Sequence, residues 1–174
     1  MKRIRIWLIT DTHFCHDELI RKKLRPINYQ DKILTNWKRD IKDDDIVIHL
    51  GDVALGKSRE CSDIIQSLPG RKILCMGNHD KRTVNWYMDN GFDFACTEFT
   101  MRNIIFSHRP VKPREYIKYN IHGHLHTISR YNGYIPAKNN WHRLLSLEME
   151  KYKPILLDRF IHLSKDAEYY KKEF

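Results

Sequence analysis

Three short apolar runs in the first half of this chain each stop abruptly at polar residues, and that limits the folds open to it. They are IRIWLIT (Ile4 to Thr10), which stops at Asp11; DIVIHLGD (Asp45 to Asp52), which stops at Gly51-Asp52; and RKILCMGNHD, which stops in Gly77-Asn78-His79-Asp80. Runs that are continuously apolar, rather than alternating, predict strands buried on both faces. Between them, DKILTNWKRDI sets Ile33, Leu34, Trp37 and Ile41 on one helical face. SRECSDIIQSL predicts a second helix, with Ser58 as N-cap and Pro69-Gly70 as its stop. The first half therefore reads βαβαβ.

The second half is mostly β. After a helical stretch from Val84 to Asn90, FDFACTEFTMRNIIFSH predicts two strands around a turn, ending at His108. YNIHGHLHT predicts a short strand running into histidines, HRLLSLEME another strand, and DRFIHLSKDAEYYKKEF a polar C-terminal helix over about 158–174. No repeat, low-complexity tract or long linker interrupts the 174 residues, a length that suits one domain with its own core, so residues 1–174 are read as a single domain. Helices outside a mainly β interior predict a layered α/β architecture, with sites beyond the carboxyl ends of the strands.

Composition removes several classes. Apolar residues at 41% and charged residues at 30% fit a soluble globular protein, and no run approaches the ~20 apolar residues of a membrane span. The start, MKRIRIWLIT, is too short in its apolar part for a signal peptide and has no small-residue cleavage site after it. Cys15, Cys61, Cys75 and Cys96 form no C-x-x-C pair, which argues against a thiolate zinc site and a disulfide framework. Cys61 and Cys75 read as small core residues. These features predict a reduced, cytoplasmic protein without a membrane partner. The net charge of +9 suits polyanions or solubility, and its excess is scattered, as at Arg21, Lys22, Lys23 and Arg25, or Lys171 and Lys172, so it reads as solvated surface.

The strand ends carry the chemistry: Asp11 to His13 (DTH), Gly51-Asp52, Gly77 to Asp80 (GNHD), Ser107-His108, and His122 to His126 (HGHLH). Each is weak alone, since a Gly-Asp pair is usually a turn and a lone histidine is usually a satisfied one. Their order, and their placement where predicted strands stop, make them one constellation. Imidazoles with carboxylates and an amide oxygen suit Mn, Fe, Ni, Zn or Co better than Ca or Mg. His124 and His126, one residue apart, would face the same side of an extended segment and feed two adjacent metals.

This constellation resembles the calcineurin-like metallophosphoesterases, whose fingerprint is D-x-H, G-D, G-N-H-[DE], a lone His, and G-H-x-H in that order. All five blocks stand here between residues 4 and 150, with Val53 where a further Asp often follows Gly-Asp. DTHFCH, LRPI and KYKPI are similar to a small, uncapped prokaryotic or phage-type subgroup. The resemblance implies an α/β sandwich of two packed mixed β-sheets flanked by helices, with a two-metal centre, manganese foremost. Asp11, His13, Asp52 and His126 would hold one metal, and Asp52, Asn78, His108 and His124 the other. His79 would lie just outside, as general acid to the leaving oxygen, with Asp80 holding its imidazole. Gly77 would let the backbone turn beneath the metal.

Two divalent cations less the charges of Asp11 and Asp52 leave about +2, a field that suits a phosphate ester. The activity implied is metal-dependent hydrolysis of phosphate esters by in-line attack of a metal-bridging hydroxide. Modest gaps between the blocks leave no room for a cap domain and favour phosphodiesters. A nuclease acting on DNA or RNA is the alternative that the basic charge permits, and a non-catalytic scaffold on the same fold is another, disfavoured because no ligand is missing. His16, Arg25, Arg109 and His122 are the substrate-binding or orienting candidates. Cys15 falls close to the centre. Of Trp37, Trp86 and Trp141, which could stack bases, Trp37 reads as core.

Overall fold

Burial on alternate sides of the first strand sets the architecture. In the computed structural model, which describes residues 4–55, 58–126 and 141–171, β1 (Ile6–Ile9) turns Leu8 one way and Trp7 and Ile9 the other, and all three are buried. Such a strand needs a layer on each side. On one side Trp7 and Ile9 join Val47 against Tyr29, Ile33 and Trp37 of α2 (Tyr29–Asp40). On the other, Leu8 joins Ile48, Leu50 and Cys75 against Ile104, Phe106, Ile121 and Leu144 of a second sheet.

The first sheet has the order β4-β3-β2-β1-β9, where β2 is Ile46–His49, β3 Arg71–Cys75, β4 Phe94–Cys96 and β9 Ile155–Leu156. β1 to β4 pair in parallel and β9 pairs antiparallel to β1. The second sheet has the order β5-β6-β7-β8, with β5 Glu98–Met101, β6 Ile104–Ser107, β7 Tyr119–His122 and β8 His142–Leu144. β5 is antiparallel to β6, while β6, β7 and β8 are parallel. The expected α/β sandwich of two mixed sheets flanked by helices is therefore the fold. The other helices among the described residues are α1 (Asp17–Arg21), α3 (Ser58–Ser67), α4 (Val84–Asp89), α5 (Leu157–Leu163) and a 3₁₀ turn (Ala167–Lys171). Ile65 of α3 and Tyr87 of α4 cover Leu74 and Ala95 on the outer face of the first sheet. Thr83 caps α4, its Oγ1 accepting from the Trp86 N–H.

Several local expectations need correction. FDFACTEFTMRNIIFSH holds three strands, where two were expected. β4 completes the first sheet, and only β5 and β6 form the hairpin, closed by Arg102 and Asn103 at φ 52° and 61° as a two-residue turn requires. HRLLSLEME is a strand only at His142–Leu144; beyond it Leu145 and Met149 enter the inter-sheet core while Leu147 packs with Trp37, as a turning chain allows. The C-terminal helix breaks after Leu163 and resumes as the 3₁₀ turn, which puts Phe160, Tyr169 and Tyr170 into the inter-sheet core. Residues 172–174, Lys172 among them, and the side chain of Ser58 lie outside the described residues. No helix among the described residues is long and apolar enough to cross a membrane.

Candidate metal centre

The loops after β1 and β2 run on side by side, with Asp11, His13 and Phe14 N–H donating to the carbonyls of Gly51, Asp52 and Val53. Thr12 Oγ1 donates to Val53 O and lies 2.9 Å from His49 Nε2, while Gly51 N–H donates to His49 Nδ1. Both roles suit a neutral His49 that carries its proton on Nε2, and burial pushes its pKa down to about 3. His49 thus knits the two loops together, a task that nothing in IVIHLGD announced.

Five polar residues just beyond β1, β2 and β7 have left-handed backbones: Asp11 (φ 50°), His13 (45°), Asp52 (57°), His124 (72°) and His126 (55°). Their side chains converge in two groups. Ligand atoms of Asp11, His13 and His126 lie within 4.8 Å of one another, and so do those of Asp52, His108 and His124. Asp52 Oδ2 joins the groups, 3.7 Å from His13 Nε2 and 3.5 Å from His108 Nε2, while its Oδ1 accepts the His79 N–H. Asn78 Oδ1 lies 3.1 Å from His108 Nε2.

His124 and His126 do not share one face of a strand. β7 ends at His122, and the left-handed turns at both residues send His126 to Asp11 and His124 to His108. The same separation of roles is achieved by a loop in place of a strand.

The electrostatics are those of a cage short of positive charge. Asp11 Oδ1 and both ring nitrogens of His13 are buried with no hydrogen-bond partner among the described residues. His108 Nε2 and His124 Nδ1 face each other at 3.1 Å. Burial drives the His13 pKa far down, and burial with the nearby His108 and Arg109 lowers that of His124 to about 4. Neutral imidazoles with converging lone pairs and orphaned carboxylate oxygen are donors suited to divalent metals. The approach is close enough to demand glycine: a Cβ on Gly77 would land on the Asp52 carboxylate, one on Gly123 on Thr10 and Asp11, and one on Gly51 on the His108 ring.

Behind His126 stands a residue that sequence reasoning missed. Glu148 Oε1 lies 3.2 Å from His126 Nδ1 and accepts from Nε and Nη2 of Arg25 at 2.9 and 2.6 Å. Burial alone would raise the Glu148 pKa, but His126 and Arg25 hold it down at about 2. Burial alone would lower that of His126, but Glu148 and Asp11 raise it. A carboxylate on the far nitrogen fixes the tautomer and aims Nε2 inward. The one local signal was an acid set between the apolar residues of LEME.

The other candidates divide. His79 is exposed at the mouth, its ring 5.5 Å from that of His13, and His16 lies beside both, 5.6 Å from His13 and 6.5 Å from His79. Arg109 is exposed and reaches Asn78 Oδ1 at 3.3 Å. Arg25 does not face a substrate: its side chain is 1% exposed and bound to Glu148 and to the Thr12 carbonyl. His122 is wholly buried, its Nδ1 at 3.0 Å from Gly123 O and its ring against His142, and burial pushes its pKa down to about 3. Asp80 is not the orienter of the His79 ring. Its carboxylate accepts from the N–H groups of Asp52, Gly77 and Val53 and from the Tyr87 hydroxyl, which ties down the loop backbone. Burial raises its pKa against those three N–H groups.

Comparison with known proteins agrees with this geometry. The chain is 29% identical over 173 residues to an uncharacterized protein of Methanocaldococcus jannaschii, covering 94% of this chain and 93% of the relative. It is similar to the crystal structure of an Aquifex aeolicus protein of unknown function, with a TM-score of 0.73 and 27% identity over 92% of this chain and 100% of the other. The family model of the calcineurin-like phosphoesterases matches residues 4–168. That match runs through every loop that builds the site, and the chain belongs to the calcineurin-like phosphoesterases.

Proposed function

We propose that this protein hydrolyses phosphate esters, phosphodiesters foremost, with two divalent transition-metal ions, manganese first among them. Asp11, His13, Asp52 and His126 would hold one ion, and Asp52, Asn78, His108 and His124 the other. The observation that carries this reading is the shared carboxylate: Asp52 Oδ2 stands between His13 and His108, each at the heart of one donor group. Bound there, the ions would lower the pKa of water and neutralise phosphoryl oxygens.

The chain's own residues supply the rest. Asp11 Oδ2 accepts from Thr10 Oγ1 and from the His124 N–H, which leaves Oδ1 for the first ion. Arg109, at the rim beside Asn78, offers a guanidinium fork to a phosphate oxygen. His79, protonated, gives its ring proton to the leaving oxygen as the P–O bond breaks, a contribution of ~10²–10⁴-fold. Its backbone N–H on Asp52, and the grip of Asp80 on the same loop, position it. The four free thiols suit a reducing, cytoplasmic setting.

A panel of phosphomonoesters, phosphodiesters and cyclic nucleotides, assayed with Mn²⁺ and with chelator, tests the reading. Diester turnover that chelator abolishes is expected. Equal turnover with and without chelator would end the metal reading. Activity confined to DNA or RNA, falling steeply with salt, would replace it with a nuclease.

A further inference from the structure

One cavity shares a wall with the candidate acid and with none of the candidate metal ligands. It measures about 250 Å³ and is lined by Ala54, Leu55, Ile65, Arg82, Trp86 and His79, among others. Its floor is apolar, with Ile65 buried in the cluster of Leu74 and Tyr87. Its side is the half-buried indole of Trp86, whose backbone N–H donates to the Thr83 cap and whose ring packs edge-on to Tyr87, with ring centroids 5.1 Å apart. The Arg82 guanidinium lies 5.6 Å from the Trp86 ring, at a rim that Lys81 makes more basic.

An acid must lie within hydrogen-bond reach of the oxygen it protonates. If His79 protonates the leaving oxygen, the leaving group starts at His79 and must continue away from the metal cage. The cavity walled by His79 is the space on that side. Its volume falls just below the usual range for drug-sized ligands, which fits a single ring system. An indole wall beside a guanidinium favours a flat π-face over an alkyl chain.

We infer that this cavity receives the leaving alcohol of the ester and selects an aromatic one, an aryl alcohol or a nucleoside, through Trp86. The inference rests on His79 acting as the acid. In the step, water adds oxygen to phosphorus, the P–O bond to the aromatic alcohol breaks, and the His79 proton goes to that alcohol's oxygen. The remaining phosphomonoester leaves on the metal side.

Two mixed diesters test it, methyl benzyl phosphate and methyl adenosin-5′-yl phosphate, hydrolysed with Mn²⁺. The alcohols are primary and similar in acidity, so the product shows which one occupied the leaving side. The expected outcome is methyl phosphate with benzyl alcohol or adenosine, in about tenfold excess over methanol, the scale of one ring stacking on an aromatic side chain. Release of benzyl alcohol alone identifies the ligand as an aryl group, and release of adenosine as well extends it to nucleosides. Trp86→Ala should bring the partition near even, Trp86→Phe should keep it, and Leu55→Phe, which fills the cavity, should erase it without removing the indole. An even partition in the unmodified protein, or one that ignores both Trp86→Ala and Leu55→Phe, overturns the inference while leaving the phosphoesterase reading intact. No turnover of either diester, or of any ester in the panel, overturns both.

Discussion

The two donor groups are built alike in front and differently behind. In the first, His126 leans on a half-buried, charged partner: Glu148, itself clasped by Arg25. In the second, the far nitrogen of His108 meets a backbone carbonyl, with Nδ1 2.7 Å from Leu50 O, and the group borders Asn78 and the exposed Arg109. A carbonyl fixes a tautomer. A carboxylate does that and also makes the imidazole a stronger donor. The first position is tuned by side chains distant in sequence, and the second by backbone just past β2.

Substitutions separate the two groups. The largest effect should come from Asp52→Ala, which removes the oxygen common to both groups. Bound metal, counted by elemental analysis after dialysis, should fall from about two ions per chain to none, because a preformed donor set is what holds each ion. Retention of one ion would mean that the groups are independent. His79→Ala should keep both ions yet slow diester turnover by ~10²–10⁴-fold. Unchanged turnover would take the acid role away from this residue.

Glu148→Gln addresses the asymmetry directly. It keeps the shape, removes the charge behind His126 and leaves Arg25 buried without a counter-charge. Calorimetric titration with Mn²⁺ should then resolve one site weakened ~10–100-fold and the other hardly changed. Equal weakening of the two would mean that the Glu148 charge does not set the groups apart. The smallest effect belongs to Asp45→Asn, remote from both groups. Burial would raise the Asp45 pKa, but Arg5, the Lys42 N–H and Trp7 Nε1 lower it. A carboxyl whose pKa is lowered by folding stabilises the fold above its unfolded pKa, and that contribution is lost as pH falls through the folded value. The variant should be less stable by about 2 kcal/mol at neutral pH, on the scale of hydrogen bonds to a charged group. Denaturation curves should show the gap closing below about pH 4, where unfolded aspartate protonates. A gap unaffected by pH would mean that the carboxylate's charge contributes nothing.

Much of the fold was legible because short-range signals carried it. A strand covered on both faces must be continuously apolar, so β1, β2 and β3 announced themselves, and their polar ends marked the loops that converge. Trp37 was readable as core from its helical face, and it is 1% exposed. What escaped depended on partners chosen at long range. Glu148 meets Arg25 across 123 residues, and no local pattern selects that pairing. The two residues of β9 qualify as a strand only because β1 offers an edge. Asp80 read as a companion of its neighbour His79, whereas the loop folds so that backbone N–H groups from two segments reach its carboxylate first. The HGHLH run looked extended because alternation is the simplest way to aim two residues together, and a pair of left-handed turns does not show in the spelling of a sequence.

The positive φ values at Asp11, His13, Asp52, His124 and His126 bear on how this protein ages and adapts. Each is a posture that glycine would accept with ease and that an aspartate or histidine holds against its own preference, at about 1–2 kcal/mol apiece. Replacing these residues one by one would relax the scaffold while emptying it of purpose. Selection for heat resistance alone would therefore push this chain toward a sturdier, inert descendant, and the survival of its contorted corners depends on their being used.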